Sequence, residues 1–284
     1  MNALTLGLVA ALCWGIHDVT VRRISQNAPL MATLLGVLVV GAVFQFSAMS
    51  VLGGFTTLPR DALIYAILAG VAFTIASAGL YGAFHRGPVR IVAPVIGSFP
   101  ILAVGLASVT GSVILPMQWL AVIAVVLGIS IVAIFADQDD ADYPALGPTI
   151  GLSVLSSFGF FATFALGQEA ARLADDLPAI FVTRLASIAV LVPAICLLKI
   201  PLWPGRAALP FVAIMGVLDG IALLCVLSAG GLPSAEYAVV PSSIFGLVTV
   251  ILARVFLSET VTARQWMGCV LTFCAIGYLA FSTS

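Results

Sequence analysis

The sequence predicts an all-α polytopic membrane protein, with ten transmembrane helices arranged as two inverted five-helix repeats. Three observations lead there. The 284 residues are 62% hydrophobic and only 8% charged, with a mean hydropathy of +1.22, whereas a soluble domain carries about a quarter charged residues. Apolar runs of about 20 residues, the length a helix needs to cross hydrocarbon, fill almost the whole chain. The one markedly polar connection, DQDDADYPA at 137–145, stands at the middle and leaves five runs on either side.

In chain order the expected helices span 3–21, 29–52, 61–84, 88–110 and 116–136, then 146–168, 178–200, 207–230, 235–257 and 263–281. The breaks between them, among them SQNAP, GGFTTLPRD, HRGP and GGLPSAE, are turn chemistry. Short alternating strands, the mark of an outer-membrane barrel, are absent from the pattern. The first run, MNALTLGLVAALCWG, has no basic residue before it and meets Arg22 and Arg23 after it. It therefore reads as a first membrane helix and not as a cleaved signal peptide. Residues 1–136 form the first repeat, 137–145 an acidic linker and 146–284 the second repeat.

The repeat is visible as a shift of 147 residues, which superposes Pro94 on Pro241, Gln118 on Gln265 and Trp119 on Trp266. Slightly different shifts place Trp14 and Gly15 on Phe158 and Gly159, and Pro29 on Pro178. Five helices is an odd number, so the second copy enters the membrane from the side opposite to the first. Inverted repeats around a midplane site are a hallmark of secondary transporters.

The stretch SSIFGLVTVILARVFLSETVTARQWMGCVLTFCAIGYLA resembles the ninth and tenth helices of EamA-type transporters, of the drug/metabolite transporter superfamily. PVIGSFPILAV with MQWLAVIAVVLGISIVAI resembles the matching first-repeat segment, and Trp14–Gly15 the first-helix signature. Arg184 is similar to an arginine found early in the second helix of a repeat. Two departures stand out: Glu259 has Ser112 as its first-repeat equivalent, and Pro100 has Gly246 as its second-repeat equivalent. The resemblance implies a ten-helix exporter or importer of small metabolites or drugs; export, in a bacterial inner membrane, is the expectation. Helices five and ten become dimer faces by that analogy alone, and helices one, three, four, six, eight and nine surround a central cavity.

Orientation sets two arguments against each other. The resemblance implies cytoplasmic termini. The odd-numbered connections, however, hold Arg22, Arg23, Arg86, Arg90, Lys199, Arg206, Arg254 and Arg264, against Arg60 and Arg172 in the even-numbered ones. That eight-to-two bias places the termini outside.

Polar groups inside the spans are the informative residues, because an acid at a helix centre costs about 2.5–3.5 kcal/mol on insertion scales. Asp219, in IMGVLDGIALL, lies near the middle of helix eight with Gly216 and Gly220 beside it. It is the leading candidate for substrate binding or proton coupling. The competing reading is a small-residue packing face with the acid bonded to a neighbouring helix. Asp18 shares a stripe with Gly7, Ala11 and Trp14 and stands one turn from Arg22. It is either a cavity acid paired with Asp219 or a mouth-side partner of Arg22. His17 points about 100° away from Asp18 on a helical wheel and ranks behind both acids. Arg184 is expected to be a structural charge, paired with an acid or with helix-end carbonyls. Glu236 and Glu259 fall at the ends of helix nine, at the interface.

Phe73, Ser77 and Tyr81 share one face of helix three, and Phe158, Phe161 and Tyr237 add to an aromatic wall, as do Phe160 and Phe164. Pro94, Pro100 and Pro241 allow kinks that serve as gates. Acids with aromatic walls suit a small-molecule substrate that is cationic, zwitterionic or aromatic. Two other classes compete. An intramembrane aspartyl protease would use two membrane acids, but the flanking pattern here is GVLDG and no serine or zinc motif is present. A passive channel would need a charged ring or filter motif. The net charge of −1 gives no footprint for nucleic acid, and no GxxxxGK[ST] loop is present. Five cysteines lie in apolar runs without a CxxC pair, so neither a metal site nor a cofactor is expected.

Overall fold

A computed structural model of the chain describes residues 3–52, 54–109, 115–135, 144–228, 242 and 244–282. The first half contributes α1 (Ala3–Ile24), α2 (Leu30–Leu52), α3 (Arg60–Arg86), α4 (Val89–Ile96), α5 (Pro100–Val109) and α6 (Pro116–Ile134). The second contributes α7 (Leu146–Leu173), α8 (Asp176–Leu197), α9 (Leu209–Ser228), α10 (Phe245–Phe256) and α11 (Ala263–Ser282). A single 3₁₀ turn, Arg206–Ala208, leads into α9. No strand occurs among the described residues.

Among the described residues, five helical runs are long and apolar enough to cross a membrane: α2, α3, α7, α8 and Arg206–Ser228, which contains α9. Pro116–Val132 and Phe245–Phe256 are shorter apolar helices. The outer surface is apolar: Val43, Leu12 and Val126 are more than half exposed. The interior, by contrast, holds Ser153, Thr163, Thr183 and Ser187, each fully buried. Their hydroxyls return to backbone carbonyls one turn back, as in Thr163 to Gly159 at 2.7 Å and Thr183 to Ala179 at 2.9 Å. Apolar outside and polar inside is the distribution that lipid imposes, since only the interior can satisfy a polar group. The chain is an integral membrane protein.

The helix expected over 88–110 is divided. Pro94 lies within α4 and Pro100 opens α5, with Gly97, Ser98 and Phe99 forming a turn between them. Neither proline can donate a ladder hydrogen bond. Tighter bonds, Ser98 N–H to the Val95 carbonyl at 3.3 Å and Ile101 N–H to the Ser98 carbonyl at 3.0 Å, carry the chain across the break. Residues 137–143 of the expected linker lie outside the described residues, as do Ser112, Glu236, Tyr237 and Pro241.

Helix contacts come in exchanged pairs. α1 packs on α9 and α10, while α7 packs on α3 and α4; α2 meets α9 as α8 meets α3. α2 also meets α8, and α6 meets α11. Swapping the halves turns this pattern into itself. At the α6–α11 crossing, a β-carbon on Gly128 would run into Thr272 Oγ1 and come within 2.7 Å of the Gly268 carbonyl. One on Gly268 would meet the Gly128 carbonyl at 2.7 Å. Backbone approach of this kind replaces the hydrophobic drive that is missing between helices in lipid.

Candidate functional site

α1 is buried along the face that carries Gly7, Ala11, Trp14 and Asp18, because α9 and α10 cover it on one side and α3 lies on the other. At this junction the two halves enclose a narrow cavity. Its walls include Trp14, His17 and Asp18 from α1, Leu34, Val37 and Leu38 from α2, and Phe73, Ser77, Leu80 and Tyr81 from α3. Phe99 enters from the α4–α5 turn, Phe160 and Phe164 from α7, Asp219 from α9 and Phe245 from α10.

The rings pack on one another. Phe160 stacks on Phe164 at 5.9 Å, Trp14 lies 5.5 Å from Phe164, and Phe99 meets Phe164 edge-on at 5.3 Å. Offset and edge-on geometries of this kind hold a wall in shape.

Two polar groups interrupt the apolar lining. Asp219, 4% exposed, accepts the indole N–H of Trp14 on Oδ1 at 3.2 Å and a guanidinium N–H of Arg184 on Oδ2 at 2.6 Å. Arg184 is fully buried; its guanidinium lies 4.9 Å over the Phe73 ring. It also lies so near α2 that a β-carbon on Gly41 would come within 3.2 Å of it. Glycine at 41 makes that room. The second group joins Asp18 Oδ1 to His17 Nδ1 at 2.9 Å, with the Tyr81 hydroxyl 3.3 Å from His17 Nε2. A neutral imidazole protonated at Nδ1 meets both contacts, donating to Asp18 and accepting from Tyr81. The other oxygen of Asp18, Oδ2, is buried with no hydrogen-bond partner among the described residues.

At the end of α1 a seam joins the halves. Arg22 donates to the carbonyls of Phe84 at 2.8 Å and His85 at 3.2 Å, and its Nε stands 3.5 Å from Glu259. Glu259 in turn accepts the Val89 N–H, the first amide of α4, at 3.0 Å. A carboxylate on a helix N-terminus is favourably placed. Burial nevertheless pushes the Glu259 carboxyl above the ordinary range, against the opposing pull of Arg22, Arg90 and the Val89 amide.

Of the residues singled out from the sequence, the cavity gathers Trp14, His17, Asp18, Phe73, Ser77, Tyr81 and Asp219. Phe158 does not join them: at 55% exposure it faces outward. Phe161 packs against the core without lining the cavity. His17, which the helical wheel turns away from Asp18, curls back onto that neighbouring acid. Arg22, one turn from Asp18 in sequence, turns instead to Glu259 and the α3 carbonyls. Arg184, expected to pair with an acid or with helix-end carbonyls, meets Asp219. Glu259 stands at the seam beyond the end of α10, its side chain turned in against Arg22. Phe99, Phe245 and the three aliphatic residues of α2 belong to the wall although no polar or charged signal marks them in the sequence. No group of three or more His, Cys, Asp or Glu side chains is placed to hold a metal among the described residues.

Two related halves of apolar helices thus hold charged groups in a cavity between them. The EamA-like transporter family profile matches residues 1–134 and again 147–281. The chain belongs to that family, and its two halves are copies of one unit. No curated protein matches it. A solved structure, described only as the crystal structure of a protein, is similar in fold. It shares 17% identity, covers 96% of this chain and 94% of its own, and has a TM-score of 0.70.

Proposed function

We propose that the chain is a secondary active transporter of a small metabolite or drug-like solute. In this reading it crosses the membrane ten times, five per half with the halves inverted, and exchanges two shapes around the central cavity. The solute is cationic, zwitterionic or aromatic, and transport is coupled to protons through Asp18, Asp219 or both. One observation carries the reading: two buried carboxylates stand on the wall of an otherwise apolar and aromatic cavity at the junction of the halves. An acid in that setting persists where it faces a pathway, and its affinity for a proton responds to any cation placed beside it. The direction proposed is export from the bacterial cytoplasm. Family membership speaks for a carrier over an intramembrane protease or a channel.

The test is solute flux in proteoliposomes under an imposed pH gradient, for the wild type, Asp18→Asn and Asp219→Asn. Loss of pH-driven flux in at least one variant is expected. Full pH-dependent flux in both would sink the reading.

A further inference from the structure

If the chain is a transporter, the reading on which this inference rests, the two cavity acids differ in a way that sets the charge of its solute. Both oxygens of Asp219 are engaged, one by Trp14 and one by Arg184 at 2.6 Å. Arg184 has no exposed surface and Asp219 almost none, so the pair sums to zero and holds its partners against each other. The remaining guanidinium nitrogens, Nε and Nη2, are enclosed between Phe73 and Gly41. A carboxylate entering the cavity reaches Arg184 only by displacing Asp219.

Asp18 is placed differently. One oxygen is held by His17, itself backed by Tyr81, and the other has no partner among the described residues. The groups around it are few. α1 itself brings His17, Cys13 and Trp14, with Arg22 one turn on but drawn to Glu259. From α3 comes Tyr81, and from α9 the already neutralised Asp219; α10 presents the ring of Phe245. No lysine or arginine lines the cavity among the described residues. Beyond the Asp219–Arg184 pair, the one carboxyl of the lining is that of Asp18, and with His17 neutral it is the group whose ionisation would leave the lining one negative charge.

We infer that Asp18 is the exchanging acid and that the cavity takes a monovalent amine with an apolar or aromatic body, in preference to an amino acid or an organic anion. The ammonium group pairs with the buried, unpartnered oxygen of Asp18 while the rings take the body. A buried charge without a partner is costly, so the acid passes between two neutral states, protonated or amine-bound. Binding one amine releases one proton from Asp18. Asp219 and Arg184 remain a fixed strut throughout.

Isothermal titration calorimetry of the purified full-length protein tests this with three probes that share a phenyl ring: phenethylamine, phenylalanine and 3-phenylpropionate. Repeating each titration in buffers of different ionisation enthalpy counts the protons released. The wild type is expected to bind phenethylamine at least about tenfold more tightly than the other two, roughly 1.4 kcal/mol, with about one proton released per amine. Asp18→Asn should lose the proton release, and Asp18→Glu should restore it. The double variant Asp219→Asn/Arg184→Gln removes the strut without leaving a lone charge, and should still release about one proton per amine, whatever its affinity.

Phenylalanine binding as tightly as phenethylamine overturns the inference. So does proton release that survives Asp18→Asn or vanishes in the double variant, and so does failure of the wild type to bind phenethylamine. Any of these, together with pH-driven flux of another solute in proteoliposomes, leaves the transporter reading standing. Absence of flux brings that reading down separately.

Discussion

α1 and α7 occupy corresponding places in the two halves. Each packs across the junction on the third helix of the other half, α1 on α9 and α7 on α3. Yet α1 brings Trp14, His17 and Asp18 to the cavity, whereas α7 brings Phe160 and Phe164, with Ala162 at the position equivalent to Asp18. The repeated features belong to the scaffold: small residues at crossings, prolines, and the Gln118–Trp119 and Gln265–Trp266 pairs. The charges are not repeated. Asp18 comes from the first half, Arg184 and Asp219 from the second. The two halves thus share a scaffold, while the charges at the cavity differ between them.

The strongest way to break that division is to strip one charge from the second half. Arg184→Gln or Asp219→Asn alone leaves an unpaired ion in the interior, and each should lower stability by about 3–5 kcal/mol. Thermal unfolding in detergent should show both singles far below the wild type and the double variant nearer to it, a non-additive result expected of a buried pair. Next comes moving the charge to the wrong half. Ala162→Asp gives α7 an acid with no His17–Tyr81 pair to receive it, at about 2.5–3.5 kcal/mol if it meets the hydrocarbon. Membrane-inserted yield should fall accordingly, and yield equal to wild type would mean the two helices are interchangeable.

The scaffold itself can be probed where no charge takes part. Gly128→Val forces α6 away from α11, with an expected loss of about 1–3 kcal/mol in detergent unfolding, and fluxes driven by the cavity acids should keep their pH dependence. The smallest effect is expected at the seam. Burial holds the Glu259 carboxyl above its ordinary value, so the folded chain keeps that proton longer than the unfolded one does. Its stabilising contribution is present at low pH and is lost as the pH rises through the folded value. Wild-type Tm relative to Glu259→Gln should therefore decline as the pH rises above the ordinary glutamate value of about 4; a rising difference would contradict the assigned direction.

Much of the scaffold was legible because lipid constrains it so tightly. Apolar runs of membrane length and the Gly/Pro turns between them located most helix ends within a few residues. The division of the helix at 97–99 was signalled by Pro94 and Pro100, but a proline alone does not say whether a helix bends or stops. The site was legible in part. An acid within a span announces itself, so Asp18 and Asp219 stood out. Their partners did not, because Arg184 reaches Asp219 from 35 positions away and nothing local encodes that meeting. The angle between His17 and Asp18 misled for a different reason: a helical wheel fixes Cα directions, while an imidazole confined by α3 can rotate back to its neighbour. Phe158 and Phe160 differ by two positions, about 200° around the helix, and so one faces outward while the other lines the cavity.

The interruption between α4 and α5 has a further consequence. Phe99, whose ring rests on Phe164 in the cavity wall, is carried on that interruption instead of on a helix. Its position depends on the dihedrals of three residues. The cavity wall at this point is therefore set by the backbone of a turn and by the ring packed on it, not by the ladder of either flanking helix.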